Sequence, residues 1–293
     1  MEPSNIVFLE QPALRQPDLV AAFIGWPDAA QVSTGAVSYM IKKLPAVKFA
    51  EMKSDDYYDF DKIRPSINVE NGMLWPILMP ANSLYYWHNP IGPRDLIIFS
   101  GIEPQMRWQA YAEVIADVAG YYNAHRVYAV GGLYDRIPHT RETRISGLVN
   151  DQTMIELLEQ AGIEPISYTG PSSIHGPLLS VCAMRRIPAI SIWGHVPFYI
   201  RAESNPMVCF ETIKKIAALL AFDLDLGDLK RSADSLCGIL DRLISENEQM
   251  RIFLRSLEEQ YDLDGNATGV EPEGSAQIIK DIEDFLRDRR QED

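Results

Sequence analysis

The chain has 293 residues, of which 46% are hydrophobic and 23% charged, and its formal net charge is −14. That much apolar chain buries a core without metal or disulfide staples. The negative charge excludes non-specific binding to nucleic acids or anionic membranes, which need a cationic field.

Cys182, Cys209 and Cys237 show no CxxC spacing and read as reduced thiols rather than a disulfide framework. No apolar run approaches the ~20 residues of a membrane span. The first residues lack the basic and apolar regions of a signal peptide. A cytoplasmic protein with no nucleic-acid partner and no membrane contact is expected. Acidity concentrates late in the chain: residues 256–293 hold 12 acidic and 4 basic side chains.

Residues 19–25 (LVAAFIG) are a short apolar run ending in glycine, as in a strand buried on both faces. Trp26, Pro27 and Asp28 follow, and Asp28 can cap a helix over residues 29–44. The loop could present backbone N–H groups to a ligand, or be a capped turn with a packed Trp26. Residues 47–51 are a weaker strand. The acidic, aromatic stretch 55–60 reads as a solvated loop that packs its tyrosines. Residues 66–79 and 83–87 predict a β-meander, with Asn71-Gly72 as a hairpin turn.

Residues 95–101 (DLIIFSG) are the second buried strand. A helix over 105–123 follows, with Trp108, Tyr111, Ile115 and Val118 at helical spacing. Glu103 and Arg107 stand four apart at its start, which allows an ion pair.

Residues 126–147 hold the third strand, a double glycine (Gly131, Gly132) and a polar loop with His139, Thr140, Arg141 and Arg144. An apolar strand, a glycine break and clustered polar groups are how an α/β protein presents a ligand site at a strand end. His139 could act as a general base and Arg141 as a carboxylate or phosphate clamp. The alternative is a structural loop.

A helix over 150–161, a strand over 163–168 and a helix over 177–185 come next. Ser172, in the Gly170-to-Gly176 loop, sits where a helix start could cradle an anion, though the loop is no P-loop. The last buried strand is 188–194, followed by His195 in a polar, aromatic loop and a helix over 207–222.

The tail differs. Nine positions from Ala233 to Tyr261 keep a strict 3,4 spacing, with Asn247 as the polar member. One long helix over 228–261 and a short one over 275–289 predict a helical hairpin. Between them Asp262, Asp264, Asn266, Thr268 and Glu273 match EF-hand ligand positions, but Ala267 replaces the required glycine, so no metal site is assigned.

Several motifs occur together and in order: Gly25-Trp26-Pro27-Asp28-Ala29, 55–60 with Arg64-Pro65, Gly101-Ile102-Glu103-Pro104 with Arg107-Trp108, Gly131-Gly132 with Pro138-His139-Thr140-Arg141, Gly170-Pro171, and Ile192-Trp193 with 196–199. On these the sequence resembles the PAC2 family, named for a proteasome assembly chaperone. The resemblance implies a three-layer α/β sandwich with a mainly parallel sheet, phosphorylase- or hydrolase-like, over 1–222, and here a helical extension over 223–293. It also implies a homo-oligomer, a trimer by preference. The chain departs from the family pattern at Pro27, Ala30, Ser173 and Glu142, which weakens the case for a shared backbone anion site. It ends without the hydrophobic–Tyr–any motif, so docking to a proteasome by that route is not expected.

Two functions follow. One is an assembly factor that presents a protein-binding surface, the helical tail included. The other is an enzyme or sensor for a small anionic metabolite in a strand-end pocket lined by His139, Arg141 and Glu103. No nucleophile elbow, HExxH, Walker motif or complete triad is readable. No cofactor is expected. The candidate ligand-binding residues are Trp26, Asp28, Glu103, Arg107, His139, Thr140, Arg141, Arg144, Ser172 and His195.

Overall fold

A computed structural model describes residues 3–264 and 275–290. In chain order the elements are β1 (Ile6–Phe8), β2 (Asp18–Ile24), α1 (Val32–Lys43), β3 (Val47–Met52), β4 (Val69–Glu70), β5 (Met73–Leu74), β6 (Asn82–Trp87), β7 (Leu96–Ile102), α2 (Trp108–Tyr121), β8 (Val127–Asp135), β9 (Ile145–Val149), α3 (Ile155–Gln160), β10 (Glu164–Pro165), α4 (His175–Met184), β11 (Ala189–Pro197), α5 (Pro206–Leu220), α6 (Gly227–Glu246), α7 (Glu248–Asp264) and α8 (Ser275–Arg290).

One nine-stranded sheet has the order β1-β3-β6-β7-β2-β8-β11-β9-β10. Its centre, β7-β2-β8-β11, is parallel. The β1-β3-β6-β7 flank is antiparallel, and so is the β11-β9 pair. The sheet is therefore mixed, with its parallel part where the strongest apolar runs fall. Alternation along β2 explains the layers: Leu19, Ala21 and Phe23 face α2 and α4, while Val20 and Ala22 face α1 and α5. The four parallel strands end on one edge, and the polar loops gather there.

The sequence expectations need several corrections. Residues 195–197 continue β11 instead of starting a loop, because Pro197 still pairs opposite Asp135 of β8. β1 and β9 fall where the sequence predicts no strand. The helix start at residue 29 is a short 3-10 turn, and α1 begins at Val32. The single helix over 228–261 is two helices. Asn247 leaves the helical region, with φ −122° and ψ 115°. Its side-chain oxygen accepts the N–H of Gln249 at 2.9 Å and of Met250 at 3.2 Å. Asn247 thus caps α7 rather than sitting in a seam, since its side chain competes with the backbone for those donors. The EF-hand-like positions 266, 268 and 273 lie outside the described residues.

The tail closes on the sheet. Leu236, Leu240, Ile244, Met250, Phe253 and Leu257 of α6 and α7 bury with Phe198, Tyr199 and Ile200, just past β11. Ile278 and Ile282 of α8 join the same cluster.

Candidate functional site

At the end of β2 the chain turns through Gly25, Trp26, Pro27 and Asp28 into α1. Gly25 has φ +137°, and a Cβ there would lie 2.9 Å from the Glu103 Cβ, so only glycine fits. Glu103, just past β7, holds this turn from the side. One carboxylate oxygen accepts the Trp26 N–H at 3.0 Å, and the other accepts the Ile174 N–H at 2.9 Å, at the start of α4. Burial raises the Glu103 pKa above its usual value, more than the two amide bonds lower it.

Asp28 acts inside the turn. It accepts the Thr34 N–H at 3.0 Å and the Thr34 hydroxyl at 2.6 Å, which secures the first turn of α1. Burial raises its pKa as well, against those bonds. Ala30 and Gln31 adopt the left-handed conformation, with φ 47° and 51°. Gly132 of β8 approaches so closely that a Cβ would fall 2.7 Å from Val32 and 2.9 Å from the Ala29 carbonyl. The second glycine of the pair therefore serves this contact.

Trp26, Asp28, Ala30, Gly132, Tyr134 and Trp193 line a cavity of about 480 Å³. Trp26 is 62% exposed and Trp193 is buried beneath it, the rings edge to face with centroids 6.4 Å apart. A volume in this range suits a small molecule, and the walls are largely aromatic and backbone.

The polar loop after β8 engages other elements. Tyr199 accepts the His139 backbone N–H at 2.7 Å and meets Nδ1 at 2.6 Å. One hydroxyl hydrogen serves one partner, so Tyr199 donates to Nδ1 and the ring proton sits on Nε2, 3.4 Å from Asp241 of α6. Burial lowers the His139 pKa, more than Asp241 and Glu258 raise it. Thr140 donates to Glu258 of α7. Arg141 forms a two-pronged pair with Asp262, at 2.9 and 2.7 Å, and reaches Glu258 at 3.1 Å. This loop grips the helical tail.

Arg144 turns to Glu164, at 2.7 and 2.6 Å, and touches Asp135 at 3.4 Å. Arg107 does not pair with Glu103. It lies 3.3 Å from Asp56 in an exposed contact. Ser172 is exposed and donates to the Ser173 carbonyl at 2.8 Å. The structure thus brings Trp26, Asp28 and Glu103 together, and gives His139, Thr140, Arg141 and Arg144 other partners.

His195 belongs to an arrangement that spans three strands. Its Nδ1 lies 2.6 Å from Asp135 of β8, and its Nε2 lies 2.7 Å from the Ser146 hydroxyl of β9. Burial raises the Asp135 pKa, but His195, the Arg136 backbone N–H and Arg144 outweigh it and hold the carboxyl below its usual range. The connectivity is that of a Ser–His–Asp relay. Ser146 is fully buried and His195 is 5% exposed, so the hydroxyl has no surface from which to attack a substrate. Here the relay ties β8, β9 and β11 together. Neither Ser146 nor Asp135 carries a sequence signal, because they lie on separate strands that only the assembled sheet brings to His195. Among the described residues no group of His, Cys, Asp and Glu side chains could hold a metal ion. No helix among them is long and apolar enough to cross a membrane.

A mixed sheet between helical layers, with a tryptophan-lined cavity at its strand-end edge, defines a three-layer α/β protein. Residues 22–244 match the sequence model of the PAC2 family, and the chain belongs to that family. A PAC2 family protein of Streptomyces avermitilis is 31% identical, with 78% of this chain and 95% of that one covered, at a TM-score of 0.71. A proteasome-assembly chaperone homologue of Mycobacterium tuberculosis is 28% identical, covering 81% of this chain and 99% of that one, at a TM-score of 0.74. The archaeal proteasome activator PbaB of Pyrococcus furiosus is 22% identical over 81% of this chain and 97% of its own, with a TM-score of 0.64, and shares the fold. No curated protein matches the chain.

Proposed function

We propose that this chain is an assembly factor of the chaperone type, working in the cytoplasm as a homo-oligomer, a trimer by preference. The observation that carries this reading is where the polar loop points. His139, Thr140 and Arg141 hold α6 and α7 in place, which leaves the tail as a fixed outer surface. The likeness to the proteasome-assembly chaperone homologue of M. tuberculosis supports the same reading.

The test mixes the purified chain with proteasome core subunits of its source organism. Native gels or native mass spectrometry then follow assembly with time. Subunit intermediates carrying this chain, and a changed assembly rate, are expected. An unchanged time course with no mixed species would end the proposal.

A second reading rests on the cavity between Trp26 and Trp193. Its occupant would be a small planar molecule held on aromatic walls. An anion would have to sit beside the carboxylates of Asp28 and Glu103, which works against the anionic metabolite expected from the loop sequence. A thermal-shift screen of nucleosides, nucleobases and amino acids tests it. A hit abolished by Trp26→Ala supports the cavity, and the absence of any hit removes it.

A further inference from the structure

Between β3 and β6 the chain leaves the main sheet at the edge where β7 ends. The first part of this excursion is anchored: Tyr57 and Tyr58 are buried, and the Tyr58 hydroxyl meets the Asn82 side chain at 2.7 Å and the Ile102 carbonyl at 2.9 Å. The second part is not. Residues 66–79 form the β4–β5 ribbon, closed by Asn71 and Gly72 with φ 51° and 82° and extended by a Ser66–Leu78 bridge. This ribbon pairs with no other strand of the described residues.

Its side chains are nevertheless apolar. Ile67, Met73, Leu74, Trp75, Ile77 and Leu78 are between 49% and 67% exposed. None of them joins a hydrophobic cluster. A lone two-stranded ribbon is marginally stable in water, and every residue from 66 to 79 is exposed among the described residues. An apolar patch of this size on an otherwise charged protein marks a surface that is covered in use.

Area and charge select what covers it. Met73 and Leu74 are consecutive in one strand and face opposite sides, so a partner that covers both sides of the ribbon buries an area comparable to the ~800 Å² that each partner gives to a standard interface. Between Ser66 and Pro80 the only charged side chain is Glu70, in a chain of net charge −14. Two copies of an acidic chain repel each other, and least where charge is missing. A basic partner would be drawn to the acidic faces instead. We propose that the 66–79 ribbon is the contact through which one copy of this chain binds another. The inference rests on the homo-oligomer reading above and names its interface.

The test is light scattering coupled to gel filtration, over a concentration series of the full chain. Met73→Glu with Leu78→Glu puts two carboxylates into the patch. Wild type is expected to assemble, and this double variant to dissociate at least ~100-fold more readily. Ile252→Glu, on the exposed face of α7, should leave assembly unchanged. A double variant that assembles like wild type overturns the ribbon as the interface, while the homo-oligomer reading stands. A wild type that stays monomeric up to about 100 μM overturns both.

A thermal melt checks that the double variant folds. If it does not, Leu74→Cys in a Cys237→Ser chain decides, because Cys182 and Cys209 are buried. A short bis-maleimide should link two copies through position 74. Absence of that product overturns the inference.

Discussion

Replacing Phe253 by alanine should release the tail from the sheet. Phe253 is 6% exposed, with ring centroids 6.0 Å from Phe198 and 5.6 Å from Tyr199. Truncating a buried Phe costs about 3–5 kcal/mol, and each aromatic pair lost with it is worth about 0.5–1.5 kcal/mol. A value near 4 kcal/mol raises the open population of a docked segment by about three decades. Hydrogen exchange followed by mass spectrometry reads this directly. Amides of α6 and α7 should exchange about 10³-fold faster, with β2 and β7 as internal controls. The Phe198–Ile200 segment should follow the helices. An acceleration below about tenfold, or one shared equally by β2, would refute the view that the tail is docked through this cluster.

Three further outcomes are expected. Burial raises the Asp95 pKa, but bonds from Arg15, His88 and Asn89 outweigh it and hold the carboxyl at about 2. A depressed folded value stabilises above the unfolded pKa and is lost as pH falls from about 4 towards 2, here about 2 kcal/mol. The stability lost between pH 5 and pH 3, read from urea midpoints, should therefore shrink by about 1 kcal/mol in Asp95→Asn, and an undiminished acid slope would count against this assignment. Asn247→Ala should cost about 1 kcal/mol by removing the α7 cap, with faster exchange confined to the first turn of α7. Ala30→Gly should raise stability by about 1 kcal/mol by relieving the left-handed backbone at φ 47°. A lower melting temperature would show that the lost methyl contacts dominate.

The buried strands were legible because apolar runs bounded by glycine have few other uses. β2, β7, β8 and β11 all announce themselves in this way. β9 did not, since Gly147 interrupts a short run. That glycine is there because a Cβ would fall 2.9 Å from Ile163 and 3.0 Å from the Ser191 carbonyl. Only the packed structure supplies this reason. The 3,4 spacing of the tail gave the apolar stripe correctly but ran straight through Asn247. Periodicity records which side is apolar and is blind to a one-residue interruption between two helices that keep the same face inward.

The polar loop shows a different limit. The density of His139, Thr140 and Arg141 marked them as groups that bind something. Whether that something is a foreign anion or the chain's own Glu258 and Asp262, more than a hundred residues on, depends on how the tail returns. Asp135, Ser146 and His195 come from three strands and meet only when the sheet is assembled.

The wedge of α6 and α7 over Phe198, Tyr199 and Ile200 bears on how a binding surface on this protein is to be mapped. Cutting the polypeptide before Gly227 would bare three large side chains and strip His139 of its contact with Asp241. A partner lost after such a truncation would report a damaged sheet edge as readily as a missing docking site. Single changes on the solvent side of α7, at Ile252 or Arg255, leave that edge sealed and separate the two.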